Sequence, residues 1–468
     1  MSVIADLMRL LGADRVLHHP LDLIVFAKDA GVTSGTVLAA VFPESTDEVA
    51  AIVTIATSQG APIVPRGAGT GLAGGAVPLD PGILIVMTRM NAVRGVDEVG
   101  RTAWVGPGVV NLDLSKRLAP LGLHFAPDPS SQQSCTIGGN VGTNAGGPHC
   151  LADGTTVAHI LAAQVVIASG EVIMVGGEIP DPPGLDLRAV VVGSEGTLGV
   201  VTDVLVKLTV DPPSTATMLA AFDTVEDAAA TVSGIIAAGV IPAALEMMDR
   251  LMVVAVENFV HAGYPTDASA VLLIEVTGVG AGVTHDVSVV SRIAEDHGVT
   301  TLRVAADENE RALLWKGRKA AFGAVAQAAP DYYLHDTVVP RTKLVQVLGA
   351  IYDIAARYDL TMLNVFHAGD GNLHPLVAFD ARVPGMLDRV SAAAREMVEV
   401  SIEAGGSLSG EHGIGIEKRD LMGLVFGTLD LDAQARVKEA FDPQGIMNPG
   451  KILPSGSRCF DAAGARLS

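Results

Sequence analysis

The sequence feature that most constrains this fold is a glycine-rich stretch at residues 65–75, PRGAGTGLAGG, which follows an apolar pair. Five of the nine positions from Gly67 to Gly75 are glycine. Glycine lets successive backbone amides point the same way and lets the chain approach a ligand closely. Arg66 adds a fixed positive charge that suits phosphate. The stretch predicts a pyrophosphate loop, with a flexible surface loop as the alternative.

A second loop of unusual composition runs over residues 127–148, PDPSSQQSCTIGGNVGTNAGGP. It is rich in Gly, Ser, Thr and Asn, and Asp128 is its one charged residue, so it offers many hydrogen-bond donors and little core-forming capacity. Structureless loops longer than about 15 residues are usually functional or disordered. Because patterned strands are predicted on both sides, we predict a functional loop.

Bulk composition excludes several classes of protein. The length of 468 residues predicts two or three domains, and 49% apolar against 18% charged residues predict large cores rather than disorder. The formal charge of −21 argues against nucleic acid or an anionic membrane as the main partner, so an anionic substrate would need a local cationic site. Without CxxC spacing, the cysteines predict reduced thiols and no disulfide framework or iron–sulfur cluster; they are Cys135, Cys150 and Cys459.

One stretch is apolar enough to be compared with a membrane span. Residues 228–245 carry no charge for 18 residues, but they contain two glycines and Pro242, and their flanks, Asp227 and Glu246, are acidic. We predict a buried helix followed by a strand. The N-terminal residues show no signal-peptide pattern, so a cytoplasmic protein is expected, with peripheral attachment to the inner face of the membrane as an alternative.

Patterning divides the chain near residue 213. Before that point, Ser45 and Glu48 form a capping box that starts a helix, and strands are predicted at 83–87, 102–105 and 200–208. Asp211-Pro212-Pro213 is typical of a boundary. Beyond it, strand-like runs alternate with helical runs, which predicts an α+β domain whose helices cover one face of a sheet.

The sharpest local motif is FHAGDGNLH at residues 366–374. Asp370-Gly371 and Asn372 are hairpin-turn residues, so His367 and His374 are expected to come close enough to share one ion. Asp370 is expected to cap the turn backbone rather than to bind the ion.

A second glycine-flanked turn, SGEHGIG at residues 409–415, sets Glu411 beside His412. Two histidines and one carboxylate form a common divalent-metal set that is compatible with zinc, manganese or iron(II). Adjacent side chains in an extended turn point in different directions, so one of the pair can bind metal while His412 acts as a base on substrate. Arg318, within WKGRK, offers a fork for a substrate carboxylate, although a solvated helix position is the plainer interpretation.

Six ordered motifs resemble those of the vanillyl-alcohol oxidase/p-cresol methylhydroxylase-type FAD family, in its glycolate oxidase, D-lactate dehydrogenase and D-2-hydroxyglutarate dehydrogenase branch. The resemblance spans about residues 20–454, and the motifs are PRGAGTGLAGGAVP, SCTIGGNVGTNAGG, GSEGTLGVVTDV, HAGDGNLH, GEHGIG and NPGK. It implies an α+β chain with a two-part FAD-binding domain of the p-cresol methylhydroxylase (PCMH) type and a cap domain with a ferredoxin-like sheet. The implied bounds are 1–213 for the FAD domain, 214–420 for the substrate cap with its metal site, and 421–468 for a C-terminal segment that returns to the FAD domain.

The resemblance also implies the site. The FAD contacts would be Arg66, Gly67, Ala68, Gly69, Thr70, Gly71, Thr136, Gly138, Gly139, Asn144, Gly147, Glu195, Gly196, Val201 and Asn448. Members with covalent flavin carry a histidine about where Thr70 stands, so FAD is expected to be non-covalent. The metal, zinc first with manganese or iron as alternatives, would be held by His367, His374 and Glu411. His412 would be the base and Arg318 the carboxylate clamp.

The implied activity is oxidation of a small D-2-hydroxy acid to the 2-oxo acid, with hydride transfer to flavin N5. The 2-hydroxyglutarate branch carries Thr and Lys where Phe322 and Leu334 align, which favours D-lactate or glycolate. Lys316, Lys319 or Arg341 could compensate, so D-2-hydroxyglutarate dehydrogenase stays open. So does a non-catalytic flavin subunit of a multi-subunit glycolate oxidase; a metallohydrolase would leave the two glycine-rich loops unexplained.

Electrons are expected to leave to a quinone, a cytochrome, an electron-transfer flavoprotein or an iron–sulfur partner subunit, because no nicotinamide fingerprint or cluster motif is present. A homodimer is a further expectation, and no nucleic-acid partner is expected.

Overall fold

The computed structural model describes residues 2–454 and divides into two compact units. The first unit comprises residues 2–146, Thr155–Asp211 and residues 411–454, and the second comprises Gly147–Gly154 and Pro212–Gly410. Cys459 and the end of the predicted C-terminal segment lie outside the described residues. The predicted domain bounds stay a prediction; the compact units group three segments differently, 147–154, 212–213 and 411–420.

The first unit contains a four-stranded and a five-stranded sheet. The strand order in the smaller sheet is Val16–Leu17, Val37–Val41, Gly82–Val86 and Ile63–Arg66, the last three being parallel to one another. The order in the larger, antiparallel sheet is Val93–Asp97, Thr102–Val105, Val200–Lys207, Ile160–Val166 and Val172–Gly176. A short pair joins Leu123–His124 to Thr209–Val210. The glycine-rich stretch therefore follows an edge strand of the parallel part.

Helices cover these sheets, and the best-predicted one precedes the glycine-rich stretch. Thr46–Gln59 buries Val49, Ile52, Val53 and Ala56, whose spacing places them on one helix face. Ser45 Oγ accepts the Glu48 N–H at 3.2 Å, which caps the helix. The other α-helices of this unit are Val3–Leu11, Pro20–Leu23, Asn111–Leu118, Ile137–Thr143, Leu187–Val191 and Thr428–Phe441.

The second unit is built on one large antiparallel sheet. Its strand order is Thr301–Val304, Ser214–Phe222, Ala270–Gly278, Ala244–Asp249, Thr361–His367, Asn372–Leu373 and Thr337–Val338. Pro375–Phe379 pairs with Thr361–His367 on one side and with Asp331–Leu334 on the other. The α-helices are Cys150–Asp153, Val225–Ala237, Arg250–Val260, Gly280–Asp296, Glu308–Lys319, Ala321–Val325, Leu344–Arg357 and Met386–Glu403.

Helices cover both faces of this sheet, so the expectation of helices on one face was wrong. Along strand Ala244–Asp249, Leu245 and Met247 join the main hydrophobic core. Glu246, which projects to the opposite face because strand side chains alternate, bonds to helix Glu308–Lys319. The ion pair between Glu246 and Arg318 therefore lies on the sheet face for which no covering helix was predicted.

The uncharged stretch 228–245 is a helix and a strand, as predicted: Val225–Ala237 ends before Ala244–Asp249 begins. Among residues 2–454, no helix is both long enough and apolar enough to cross a bilayer.

Candidate active site

The first glycine-rich loop presents backbone amides that the described part of the chain does not use. From Ala68 through Leu72, no backbone N–H donates to another residue between residues 2 and 454. Ala68 is exposed and its neighbours are half-buried, so these amides are accessible. A run of accessible, unbonded N–H groups is the donor set that a pyrophosphate requires. The loop thus fits the phosphates of a dinucleotide.

The guanidinium of Arg66 is hydrogen-bonded to backbone carbonyls beside the loop. It donates to the carbonyl of Lys28 at 2.8 Å and to that of Ala76 at 3.3 Å, and its charge lies 5.9 Å from the Phe26 ring centroid. Gly69 has φ +73°, and a Cβ there would lie 2.1 Å from Arg66 Nη2, so only glycine fits over the guanidinium. Part of the donor capacity of Arg66 therefore holds the loop itself.

The second loop contains a short helix that the sequence analysis missed. Ile137–Thr143 interrupts the stretch predicted to be irregular, and Thr136 Oγ1 accepts the Gly139 N–H at 3.2 Å as its N-cap. Asn144 ends it with φ +52°, and its Oδ1 accepts the Val157 N–H at 2.8 Å. The helix was missed because three of its seven residues are glycine, which has a low helix propensity.

The two loops meet at Gly67. A Cβ on Gly67 would lie 2.4 Å from Thr136 Oγ1 and 3.6 Å from the Gly139 amide nitrogen. This close approach explains why a glycine follows Arg66. It also brings predicted FAD contacts from both motifs together within the first unit.

Two further predicted FAD contacts of this unit, Glu195 and Asn448, are buried and hydrogen-bonded to each other. Asn448 Nδ2 donates to the carbonyls of Gly75 at 2.7 Å and Glu195 at 2.6 Å. Within residues 2–454, Asn448 Oδ1 and Glu195 Oε2 are buried without a hydrogen-bond partner. Orphaned buried polar atoms beside open loop amides are expected where a polar cofactor completes the bonding. The first unit therefore fits FAD.

Glu195 also anchors the turn that carries Glu411 and His412. Glu195 Oε1 accepts the N–H groups of Ile414 at 2.8 Å and Gly415 at 3.0 Å. Burial raises the pKa of Glu195 to about 7, against the opposing effect of these amides and of nearby Lys451 and Lys418. The predicted FAD contact thus has a second partner that sequence reasoning did not identify.

Glu411 and His412 approach each other in this turn. Their Oε1 and Nε2 atoms lie 3.5 Å apart, and both side chains are half-buried. This differs from the expectation that adjacent side chains would point apart. The turn bends at Gly413, whose φ of +87° lets the chain fold back.

The second unit brings His367 and His374 together. Their ring centroids lie 5.1 Å apart with the planes nearly perpendicular, at 88°, and both side chains are buried. Asp370 Oδ1 accepts the Asn372 N–H at 3.0 Å, which is the capping role predicted for it. Gly371 has φ +80°, and a Cβ there would lie 2.1 Å from the Val339 carbonyl oxygen. The hairpin turn therefore requires glycine and sets the spacing of the two imidazoles.

Both imidazoles direct Nδ1 at protein oxygens. His367 Nδ1 lies 2.8 and 2.9 Å from the two carboxylate oxygens of Glu246, and His374 Nδ1 lies 3.4 Å from the His335 carbonyl. Asp336 Oδ1 lies 3.9 Å from His374 Nδ1 and also accepts the Gly410 N–H at 3.0 Å. This is the arrangement of metal-binding histidines, in which one ring nitrogen is fixed by a protein acceptor.

Arg318 is buried rather than solvated. It is 1% exposed, and its Nε and Nη2 contact Glu246 Oε2 at 2.7 and 2.5 Å. Burial alone would raise the pKa of the Glu246 carboxyl, but the adjacent Arg318 and His367 hold that pKa below its ordinary value. One carboxylate therefore bonds to both the predicted clamp and a predicted metal ligand.

The neighbouring strand supplies a second buried carboxylate to the same helix. Glu275 accepts from Arg311 Nε at 2.9 Å, Trp315 Nε1 at 2.7 Å and Thr217 Oγ1 at 2.6 Å. Arg311, Trp315 and Arg318 are spaced i, i+4 and i+7, so they share one helix face.

Sequence reasoning missed Glu246, Glu275 and Asp336. For Glu246 and Glu275 the available signal was an acidic residue inside an apolar run, as in ALEMM and VLLIEV, where an unpaired charge would be too costly to bury. All predicted FAD contacts except Gly147 lie in the first unit. The predicted metal and base residues divide between the units, with His367, His374 and Arg318 in the second and Glu411 and His412 in the first.

Two imidazoles with fixed Nδ1 atoms fit a divalent transition metal, because such ions prefer neutral imidazole nitrogen. The second unit supplies both of these donors, and a carboxylate such as Glu411 is a chemically suitable third ligand.

Comparison with known proteins identifies the class first. The fold matches that of p-cresol methylhydroxylase, with a TM-score of 0.83, 17% identity and coverage of 97% of this chain and 96% of that one. Residues 37–176 match the model of the FAD binding domain, and residues 211–452 match that of the C-terminal domain of FAD linked oxidases. These findings define an FAD-dependent oxidoreductase with a PCMH-type fold.

Proteins of similar sequence assign the chain to a family. Glycolate oxidase subunit GlcD of Escherichia coli (strain K12) is 46% identical over 98% of this chain and 92% of the relative. GlcD of Bacillus subtilis (strain 168) is 40% identical over 90% of each chain, and D-lactate dehydrogenase of Anaerostipes hadrus is 33% identical over 87% and 88%. The chain belongs to the FAD-linked oxidase family, as the motifs implied.

Proposed function

We propose that this chain is an FAD- and divalent-metal-dependent dehydrogenase that oxidises a small D-2-hydroxy acid, D-lactate or glycolate, to the 2-oxo acid. The observation that carries the proposal is the buried histidine pair of HAGDGNLH, linked through one carboxylate to a buried arginine. The names of the relatives, glycolate oxidase subunit and D-lactate dehydrogenase, supply the substrate class.

Each residue of the proposed site has a defined task. Arg318 can bind the substrate carboxylate through Nη1 while its Nε and Nη2 contact Glu246. His412 accepts the proton of the substrate hydroxyl, which an imidazole can do near neutral pH. FAD, held non-covalently by the two glycine-rich loops, supplies a two-electron acceptor for the α-hydrogen. A zinc, manganese or iron(II) ion held by His367, His374 and Glu411 supplies Lewis acidity toward the substrate oxygens.

Substrate size is proposed from two apolar positions. Phe322 is half-buried and Leu334 is buried, and neither can bond a distal carboxylate. Lys316 and Lys319 are exposed, whereas Arg341 Nη1 donates to the Gly369 carbonyl at 3.0 Å and so reaches the histidine hairpin. Arg341 is therefore the compensating cation to consider for D-2-hydroxyglutarate.

The test is anaerobic flavin reduction. Purified protein is mixed with glycolate, D-lactate, L-lactate or D-2-hydroxyglutarate, and flavin bleaching is followed before and after treatment with chelator, with metal analysis of the same sample. We expect bleaching by D-lactate or glycolate that chelator abolishes and added metal restores. Faster bleaching by D-2-hydroxyglutarate would overturn the proposed substrate, and bleaching of metal-free protein would overturn the metal requirement.

The role of His412 is tested by substitution. H412N should lower the rate of flavin reduction by about 10² to 10⁴ because the base is lost, while FAD content stays unchanged. H285N, which changes an exposed histidine of helix Gly280–Asp296, is the control and should leave the rate unchanged. Wild-type rates in H412N would remove this residue from the mechanism.

A second candidate is a flavin subunit that works only within a larger assembly. The E. coli relative is named as a glycolate oxidase subunit, which favours this candidate. A flavin-containing protein that no hydroxy acid bleaches would support this candidate. In either case the acceptor is proposed to be a quinone, a cytochrome, an electron-transfer flavoprotein or an iron–sulfur subunit.

A further inference from the structure

We propose that Glu246 is a positioning residue that couples the metal site to substrate binding, by fixing the tautomer of His367 and the orientation of Arg318. The inference rests on the proposed function, because it assigns a role toward the metal and the substrate carboxylate. The role assigned to Glu246 is exerted through His367 and Arg318.

The contacts of Glu246 specify the His367 tautomer. Glu246 is 0% exposed, and its carboxylate oxygens lie 2.8 and 2.9 Å from His367 Nδ1. A carboxylate can only accept, so a neutral His367 carries its proton on Nδ1 and its lone pair on Nε2. Metal ions bind the nitrogen that has the lone pair, so Glu246 makes Nε2 the ligand atom.

The same carboxylate limits the freedom of Arg318. Nε and Nη2 contact Glu246 Oε2 along one edge of the planar guanidinium, at 2.7 and 2.5 Å. Holding this edge leaves Nη1, the guanidinium nitrogen that does not belong to it, for a substrate carboxylate. The two groups that would bind the substrate acid and the metal are thereby fixed by one buried side chain.

A purely structural role is the alternative, because Glu246 also ties helix Glu308–Lys319 to the sheet. Glu275 provides the matched control. It lies on the adjacent strand, is buried, and bonds Arg311 and Trp315 of the same helix at 2.7–3.0 Å. Among residues 2–454, neither His367 nor Arg318 is a hydrogen-bond partner of Glu275.

The experiment compares E246Q, E246D and E275Q in the FAD-loaded protein. After removal of bound metal, Zn²⁺ and Mn²⁺ are each titrated by equilibrium dialysis, and KM and kcat are measured for the best hydroxy acid. We expect E246Q to weaken metal binding by about 10- to 100-fold and to raise KM, with partial recovery in E246D. E275Q should lower thermal stability and leave metal affinity within about twofold of wild type.

A second measurement needs no variant of Glu246. In metal-free protein labelled with ¹⁵N-histidine, the ring signals of His367, assigned by their loss in H367N, should show the Nδ1–H tautomer. Observation of the Nε2–H tautomer would overturn the proposal even if E246Q failed to fold.

The outcomes separate the two hypotheses. A wild-type protein that binds neither metal would refute the proposed metal site, and the metal half of this inference with it. A wild-type protein that binds metal while E246Q binds it equally well, or while E275Q weakens it as much as E246Q does, would overturn the role of Glu246 alone.

Discussion

Gly317 lies between Lys316 and Arg318, at the point where helix Glu308–Lys319 packs on Tyr264. A Cβ at this position would lie 2.5 Å from Cε2 of the Tyr264 ring and 3.0 Å from its hydroxyl oxygen. The ring is buried, and its hydroxyl donates to the Leu314 carbonyl at 2.5 Å, so it has little room to move. The absence of a side chain at 317 therefore helps to bring Arg318 onto the sheet.

We predict that G317A destabilises the second unit by about 1 to 3 kcal/mol, the usual cost of forcing extra volume into a packed site. The control is G349A, since Gly349 lies in helix Leu344–Arg357 with nothing within 4 Å of a built Cβ. Alanine should stabilise that helix by about 0.5 to 1 kcal/mol. Urea unfolding midpoints of the two variants should move in opposite directions, and equal shifts would contradict the steric explanation.

Glu195 makes stability depend on pH. Its folded pKa, raised to about 7 by burial, exceeds that of an unfolded glutamic acid, so the folded chain binds more protons between pH 4.5 and 7. The contribution of Glu195 to the free energy of unfolding is fully present below the unfolded pKa and is lost as pH rises through the folded pKa. The loss is at most about 3 kcal/mol.

The corresponding prediction concerns E195Q, which keeps the shape of the side chain and cannot ionise. The free energy of unfolding of E195Q should increase relative to that of the wild type as pH rises from 4.5 to 7.5. Both proteins would be measured by urea unfolding in excess FAD. A difference between them that does not change with pH would show that folding does not raise the pKa of Glu195.

At the scale of elements, helix Ile137–Thr143 organises the second glycine-rich loop. Thr136 both caps this helix and lies against Gly67 of the first loop. We predict that T136V loses about 1 kcal/mol of stability through the missing cap, and also releases FAD more readily because the loops separate. S45A, which removes the cap of helix Thr46–Gln59, should lose similar stability with FAD affinity unchanged. FAD dissociation constants, measured by flavin fluorescence, distinguish the two variants.

Elements with a strong hydrophobic period were predictable, and those determined by long-range contacts were not. The buried face of helix Thr46–Gln59 and the strand Thr102–Val105 follow from local pattern. Helix Ile137–Thr143 does not, because tertiary contacts offset its poor intrinsic propensity. At the candidate site, the HAGDGNLH turn was predictable from Asp-Gly chemistry, whereas the partnership of Glu246 with Arg318 spans 72 positions and has no local signature.

At the scale of the whole molecule, the first unit is discontinuous. Ile63 exchanges backbone hydrogen bonds with the far C-terminal residues Ile446 and Asn448, at 2.8 and 2.7 Å. Lys438 donates to the carbonyls of Thr197 and Met447, and Lys451 Nζ donates to that of Val77 at 2.6 Å. Composition alone could not predict these contacts, because Lys438 lies 241 positions from Thr197 and Lys451 lies 374 positions from Val77.

We predict that a chain truncated after residue 426, before helix Thr428–Phe441, loses FAD and aggregates. The reason is that strand Ile63–Arg66 and the glycine-rich loops lose these buried partners, which leaves unsatisfied polar groups in the first unit. N448A removes the side-chain bonds to Gly75 and Glu195 and places alanine at a left-handed φ of +41°; it should weaken FAD binding with the fold retained. N258A, at an exposed helix position, should change nothing. Flavin absorbance per protein and elution volume on gel filtration report both effects. A truncated chain that stays monomeric and yellow would show that the second half of the FAD unit is dispensable.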